Sequence, residues 1–174
     1  AEIKEPDLKG AIDYVLTYEE LRDLFTTTDI DLEHLEEDNV PHASRAGIRY
    51  AYAGGVAEAV AATVKRLDPN RKIEVKVRRA DSVPDCKAMI DSILKGNREG
   101  NFFEGMGCRG GCVGGPKALV PKEQGKLNVM AYSDESTYKT PAENPYVIEL
   151  LKQLGFETVE EFLTKSDLYD RKFD

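Results

Sequence analysis

Residues 72–96, KIEVKVRRADSVPDCKAMIDSILKG, decide the fold of this chain. Apolar and charged side chains alternate from Lys72 to Arg78, which predicts a strand with one buried face. From Val83 to Leu94 the apolar side chains recur at helical spacing, and Gly96 follows as a helix cap. A strand followed directly by a helix is a typical unit of parallel sheets. We therefore expect an α/β fold with a mostly parallel sheet flanked by helices.

The segments on the amino-terminal side continue this alternation. The short apolar run from Ala11 to Leu16 predicts a buried strand. Thr17 and Glu20 form a capping-box pattern, which predicts a helix through about Phe25. A second helix, rich in alanine and valine, is expected over residues 53–67, with a tight glycine turn or a ligand contact at its beginning.

The segments on the carboxyl-terminal side predict one strand and two helices. Phe102-Phe103 is interpreted as the end of a strand, where ligands bind in α/β sheets. Asn144-Pro145 begins a helix that Gly155 stops. Thr158 with Glu161 begins a last short helix.

Composition is that of a single soluble domain spanning residues 1–174. The chain has 24 basic and 32 acidic side chains, hence a net charge of −8, which argues against nucleic-acid and anionic-membrane partners. No apolar run approaches the roughly 18 residues of a membrane span, and we expect no signal peptide. Three cysteines do not suggest a secreted disulfide framework, so a cytoplasmic location is expected.

The chemistry is concentrated in residues 101–116, NFFEGMGCRGGCVGGP. This segment holds six of the 14 glycines and two of the three cysteines, Cys108 and Cys112. Dense glycines let the backbone approach a bound group, and thiols four residues apart lie on one face of a helical turn. Sulfur donors beside many N–H groups favour an iron–sulfur cluster, although two thiols cannot hold one alone.

Other interpretations of this segment fit less well. A phosphate loop would end in Gly-Lys-Ser/Thr, whereas this chain continues as Gly115-Pro116-Lys117. A zinc site needs four ligands, and the distant His34 and His42 are expected at the surface. A thiol–disulfide motif has two residues between its cysteines, whereas three separate Cys108 from Cys112. The third cysteine, Cys86, is expected to pack in the core. A metal-free glycine turn with two unused cysteines, in an interaction domain, stays open.

Residues 104–116 resemble the last cysteine motif of iron-only (FeFe) hydrogenases, Glu-x-Met-x-Cys-x-x-Gly-Cys-x-x-Gly-Gly, except that Pro116 replaces the last glycine. Residues 54–59, GGVAEA, are similar to that family's Gly-Gly-Val-x-Glu-Ala helix. The resemblance extends over about residues 11–156. It implies the second lobe of the family's catalytic domain as the fold, and the reversible conversion of protons and electrons to hydrogen as the activity.

The resemblance also implies roles for particular residues, although none is expected to be catalytic by itself. Cys108 and Cys112 would ligate the 4Fe–4S part of the family's cofactor, the H-cluster, and Cys112 would also bridge to its di-iron part. Met106 would lie beside the di-iron part. Tyr50 and Ala51, which replace the family's Phe-Gly, are also expected to contact the cofactor. The same is expected of the N–H groups of Gly110, Gly111 and Gly114.

The family's two other cysteine motifs, which supply the remaining cluster ligands, have no counterpart in this sequence. The chain begins at Ala1 where the second of them would have ended, so we expect a carboxyl-terminal lobe without its amino-terminal lobe. Such a lobe is expected to be inactive alone, to lack the full cofactor and to self-associate. An electron carrier such as ferredoxin is the expected partner of the intact protein. The alternative function is a sensory protein that binds the cluster to detect hydrogen or redox state.

Overall fold

The structure is a computed structural model that describes residues 10–36 and 42–167. Within these ranges it has seven helices and a two-stranded parallel sheet. The helices are α1 (Tyr18–Thr27), α2 (Arg45–Ile48), α3 (Gly55–Leu67), α4 (Val83–Leu94), α5 (Lys122–Asp134), α6 (Pro145–Gln153) and α7 (Val159–Lys165), and the strands are β1 (Val77–Asp81) and β2 (Phe102–Met106). The α/β class and the parallel strand pairing are confirmed, although the sheet is small.

The β1–α4–β2 unit forms the centre of the site region. Its strands pair in parallel register, with Val77 opposite Phe102 and Asp81 opposite Met106. The Ser82 side chain accepts a hydrogen bond from the backbone of the first turn of α4, and Gly96 follows the helix at a φ of +84°. The predicted bounds of α4 are therefore confirmed, because both of its end signals are local to the sequence.

Two strand predictions need correction in their limits. β1 spans Val77–Asp81 instead of Lys72–Arg78. The Asn101 side chain accepts a hydrogen bond from the Lys76 N–H at 2.7 Å, and the pairing with β2 starts only after Lys76. Phe102 begins β2 instead of ending it, so the strand continues to Met106. The glycine-rich segment therefore starts directly at the carboxyl end of a strand.

The predicted strand at Ala11–Leu16 is wrong. These residues have no regular structure, and the side chains of Tyr14 and Val15 are 86% and 74% exposed. A strand needs a partner for its backbone hydrogen bonds, and neither strand of the described sheet pairs with this run. The apolar pattern alone could not supply that partner.

Three predicted helix starts are confirmed, whereas α3 begins at Gly55 instead of residue 53. Thr17 and Glu20 form the capping box of α1, with the Thr17 N–H donating to the Glu20 carboxylate at 2.7 Å. Asn144 caps α6, and Thr158 caps α7. Short α2 and the longer α5 were not expected from the sequence. No helix in the described part of the chain is both long and apolar enough to cross a membrane.

The described core is small, and much of it is polar. Its buried apolar side chains are Ala46, Tyr52, Ala57, Ala59, Ala80 and Leu151. The Arg49 guanidinium donates to the buried Ser133 hydroxyl at 2.9 Å and to the Asp134 carboxylate at 2.9 Å. These bonds join the end of α5 to the turn before α3, so helix α5 braces the segment that carries Tyr50 and Ala51.

Candidate metal centre

The two cysteines lie on the loop that follows β2, residues 107–115, which we call the cysteine loop. The Cys108 carbonyl accepts the Gly111 N–H at 3.0 Å, and the Cys112 carbonyl accepts the Gly115 N–H at 3.0 Å. Cys108 is half-buried, Cys112 is exposed, and both are free thiols. Gly110 and Gly111 adopt left-handed φ values of +85° and +86°, which fold the loop back on itself between the thiols.

The cysteine loop packs against the turn that leads into α3, residues 50–54, which we call the helix-entrance turn. The Ala53 N–H donates to the Gly110 carbonyl at 2.9 Å. A Cβ atom at Gly111 would lie 2.5 Å from the Ala53 nitrogen and 2.7 Å from the Tyr52 carbonyl carbon, so only glycine fits. The structure thus brings the segment of Tyr50 and Ala51 next to the loop of Cys108 and Cys112.

The buried carboxylate of Glu104 joins the strand to the helix-entrance turn. Its two oxygens accept hydrogen bonds from the Gly54 N–H at 2.6 Å and the Ala57 N–H at 2.9 Å. Glu104 is only 5% exposed. The glycines at the start of α3 therefore form a tight turn, and the negative partner of this helix terminus is a side chain of the protein itself. The sequence motif includes Glu104, but it does not reveal that this carboxylate binds the Gly54 and Ala57 N–H groups.

The glycine N–H groups of the cysteine loop have acceptors within the chain. The Gly110 N–H donates to the Asp81 carboxylate at 2.9 Å, and the Gly111 N–H donates to the Cys108 carbonyl. The Gly114 N–H donates to the Gly111 carbonyl at 3.0 Å. Each of these three N–H groups therefore helps to hold the shape of the loop, and their expected contact with a cofactor stays a prediction.

Cys86, on α4, contacts the carboxyl end of the sheet, where Met106 ends β2. The Cys86 thiol, on α4, donates to the Met106 carbonyl at 3.5 Å and to the Ala80 carbonyl at 3.7 Å. A Cβ atom at Gly105 would lie 3.1 Å from the Cys86 sulfur, so this thiol packs on the sheet. Cys86 is thus a packing residue, but it is half-buried and does not lie in the core as expected. Met106 is half-buried and ends β2 two residues before Cys108.

Tyr52 is the largest buried side chain beside the cysteine loop, with 2% of it exposed. Its hydroxyl donates to the Glu58 carboxylate at 3.1 Å, and the Lys126 ammonium lies 4.8 Å from the centre of its ring. Burial raises the pKa of the Tyr52 phenol, and the hydrogen bond to Glu58 adds to that rise. Tyr52 is therefore a neutral hydrogen-bond donor under ordinary conditions.

Both histidines lie at the surface, as expected. His34 is paired with the Asp31 carboxylate at 2.8 Å, and 81% of its side chain is exposed. The ring of His42 stacks on Tyr146 with 4.3 Å between centroids. In the acidic run 36–38, Glu36 is exposed, and residues 37 and 38 lie outside the described ranges.

Comparison with protein families now bears on this arrangement. The family described as iron only hydrogenase large subunit, C-terminal domain, matches residues 1–116, which is two thirds of the chain. The chain belongs to this family. The match takes in the helix-entrance turn, Glu104 and the cysteine loop, and it ends at Pro116, short of the expected limit near residue 156. No curated protein matches the chain.

The family implies an iron–sulfur H-cluster in the intact hydrogenase, and the donors of this chain fit part of such a site. Two thiols on a glycine-rich loop are the ligand type that iron–sulfur clusters use. Over residues 10–36 and 42–167, no three or more His, Cys, Asp and Glu side chains gather in a way that could hold a metal ion. A 4Fe–4S cluster takes four protein ligands, so Cys108 and Cys112 can supply two of them.

Proposed function

We propose that this hydrogenase-family chain supplies Cys108 and Cys112 as ligands of the 4Fe–4S part of the H-cluster. The reaction proposed for the intact protein is the reversible combination of two protons and two electrons into hydrogen. The observation that carries the proposal is the anchoring of the cysteine loop against the helix-entrance turn. It places the loop that carries the two motif thiols against the turn that carries Tyr50 and Ala51.

The bound cofactor would supply the redox chemistry, and the protein would bind and position it. In this proposal Cys108 and Cys112 bind iron through their thiolates. Tyr50, Ala51 and Met106 form the surrounding wall. Gly110, Gly111 and Gly114 act through the loop shape that their hydrogen bonds maintain, because that shape sets where the two sulfurs lie.

The remaining cluster ligands must come from another polypeptide segment. The sequence has three cysteines, and the Cys86 thiol is engaged with the sheet. We therefore propose that residues 1–174 form one lobe of a two-lobed catalytic domain, with the cofactor between the lobes. A ferredoxin-type protein would deliver electrons to the intact enzyme. Three free thiols fit a reducing compartment such as the cytoplasm.

Anaerobic reconstitution with iron and sulfide, followed by the complete cofactor, tests this proposal. We expect the 174-residue chain alone to retain no stable 4Fe–4S spectrum and to evolve no hydrogen. Mixed with a polypeptide that carries the family's other cysteine motifs, it should retain both. Hydrogen evolution by the chain alone would contradict the two-lobe proposal. Full iron retention by the mixed protein after Cys108→Ser and Cys112→Ser together would contradict the ligand assignment.

The sensory alternative predicts the same ligands but little turnover. None of the contacts in the described residues favours it over catalysis. The rate of hydrogen evolution by the reconstituted protein separates the two functions, since a sensor would bind the cofactor and turn over slowly.

A further inference from the structure

Asp81 contacts the cysteine loop at its midpoint. It is the last residue of β1 and lies opposite Met106 in the parallel register. Its half-buried carboxylate accepts the Gly110 N–H at 2.9 Å. Gly110 is two residues from each thiol, so this bond holds the loop at the point equidistant in sequence from Cys108 and Cys112.

The Gly110 peptide is fixed from more than one side. Its N–H is bound to Asp81, and its carbonyl accepts the Ala53 N–H at 2.9 Å. A Cβ atom at Gly110 would lie 3.1 Å from the side chain of Lys122, so α5 closes a third side. With its φ of +85°, this peptide sets the direction in which the chain leaves toward each cysteine.

We propose that Asp81 is a positioning residue for the thiol pair of Cys108 and Cys112, acting through its hydrogen bond to Gly110. Asp81 lies outside the motif that carries the family resemblance. The inference rests on the proposed function where it concerns the cofactor. The carboxylate also places a negative charge beside the loop, and such a charge disfavours the more negative, reduced state of a bound cluster.

Two substitutions separate the hydrogen bond from the charge. Asp81→Asn keeps an oxygen acceptor for Gly110 and removes the charge, whereas Asp81→Ala removes both. Asp91→Asn, at an exposed position on α4, removes the same charge away from the loop and is the matched control. The variants are measured in the two-lobe protein, with and without the reconstituted cluster.

The first measurement is the ratio of Cys108 to Cys112 alkylation by iodoacetamide in the metal-free protein. We expect Asp81→Ala to change this ratio about fivefold. Loss of one hydrogen bond changes by about that factor the fraction of molecules in which the cysteine loop has opened. Asp81→Asn and Asp91→Asn should leave the ratio near that of the wild type. An unchanged ratio in folded Asp81→Ala would overturn the positioning role.

The second measurement has two readouts on the reconstituted cluster. They are its midpoint potential and the line shape of its electron paramagnetic resonance spectrum. We expect Asp81→Asn to raise the potential with the line shape preserved, and Asp81→Ala to alter the line shape as well. Potentials and line shapes equal to the wild type in both variants would overturn the inference. If the wild type binds no iron, the proposed function fails, and the alkylation ratio still decides the role of Asp81.

Discussion

The cysteine loop and the amino-terminal segment, residues 12–36, differ in what holds them. The cysteine loop is bound by Asp81 and by the helix-entrance turn, and Glu104 in turn fixes that turn from β2. In the amino-terminal segment, α1 has no buried residue, and Leu32 is 59% exposed. The contacts of the chain therefore fix the geometry of the cysteine loop but leave several apolar side chains of the amino-terminal segment exposed.

Part of the amino-terminal segment lines a groove of about 650 Å³. Its apolar lining includes Leu21 and Phe25 of α1 and Leu119 from the segment after the cysteine loop. An ion pair between Lys117 and Glu19 at 3.1 Å connects the same two segments. An apolar surface of this kind fits a lobe that another polypeptide covers, as the proposed function requires.

Gly111→Ala should have the largest effect on stability. The new Cβ atom would meet the backbone of Ala53 at 2.5 Å, at a φ of +86° that side chains disfavour. We expect a loss of about 3 kcal/mol or more in the free energy of unfolding, measured with urea. Gly107→Ala is the control, since nothing lies within 4 Å of its added carbon. Equal urea midpoints for the two variants would contradict the close contact of loop and turn.

Glu104→Gln should have the next largest effect. The amide keeps one acceptor oxygen but points its N–H₂ group at the N–H of Gly54 or Ala57, so one buried donor loses its partner. We expect a loss of about 2 kcal/mol in the free energy of unfolding. Glu99→Gln removes the same charge from an exposed ion pair with Arg78 and should cost less than about 1 kcal/mol. A Glu104 variant as stable as the Glu99 variant would show that the buried carboxylate is not an anchor.

Tyr52→Phe should cost about 1 kcal/mol at neutral pH, because it removes the hydrogen bond to Glu58. The folded-state pKa of Tyr52 is raised, so the phenol stabilises the fold fully below its unfolded pKa near 10. That contribution is lost as the pH rises through the folded pKa. Unfolding measured from pH 7 to 11 should therefore show a narrowing gap between wild type and variant. A constant gap would contradict the raised pKa.

Val15→Ser should have the smallest effect, since 74% of Val15 is exposed. We expect the free energy of unfolding to change by less than about 0.5 kcal/mol, measured by thermal unfolding. Association with the second lobe should weaken, as followed by sedimentation. Leu151→Ala, at a buried position in α6, is the control and should cost about 2 kcal/mol or more. A large loss of stability from Val15→Ser would mean that the segment packs on its own chain.

Features local in sequence were predictable, and long-range partners were not. The capping box of Thr17 and Glu20 and the stop at Gly155 follow from residues a few positions apart, and both are confirmed. The strand at Ala11–Leu16 was wrong, since an apolar run does not reveal whether a neighbouring strand exists. The motif made the thiols of the site recognisable. Glu104 and Asp81 were missed as anchors because their partners lie 50 and 29 positions away.

Iron content of the reconstituted two-lobe protein tests most directly whether Cys108 and Cys112 ligate the cluster. Single substitutions by serine are compared at all three cysteines, with Cys86→Ser as the internal control. We predict that Cys108→Ser and Cys112→Ser each lose the 4Fe–4S spectrum and most of the bound iron, whereas Cys86→Ser retains both. Retention of iron by both loop variants, or an equal loss in folded Cys86→Ser, would contradict the assignment of the cysteine loop as the cluster site.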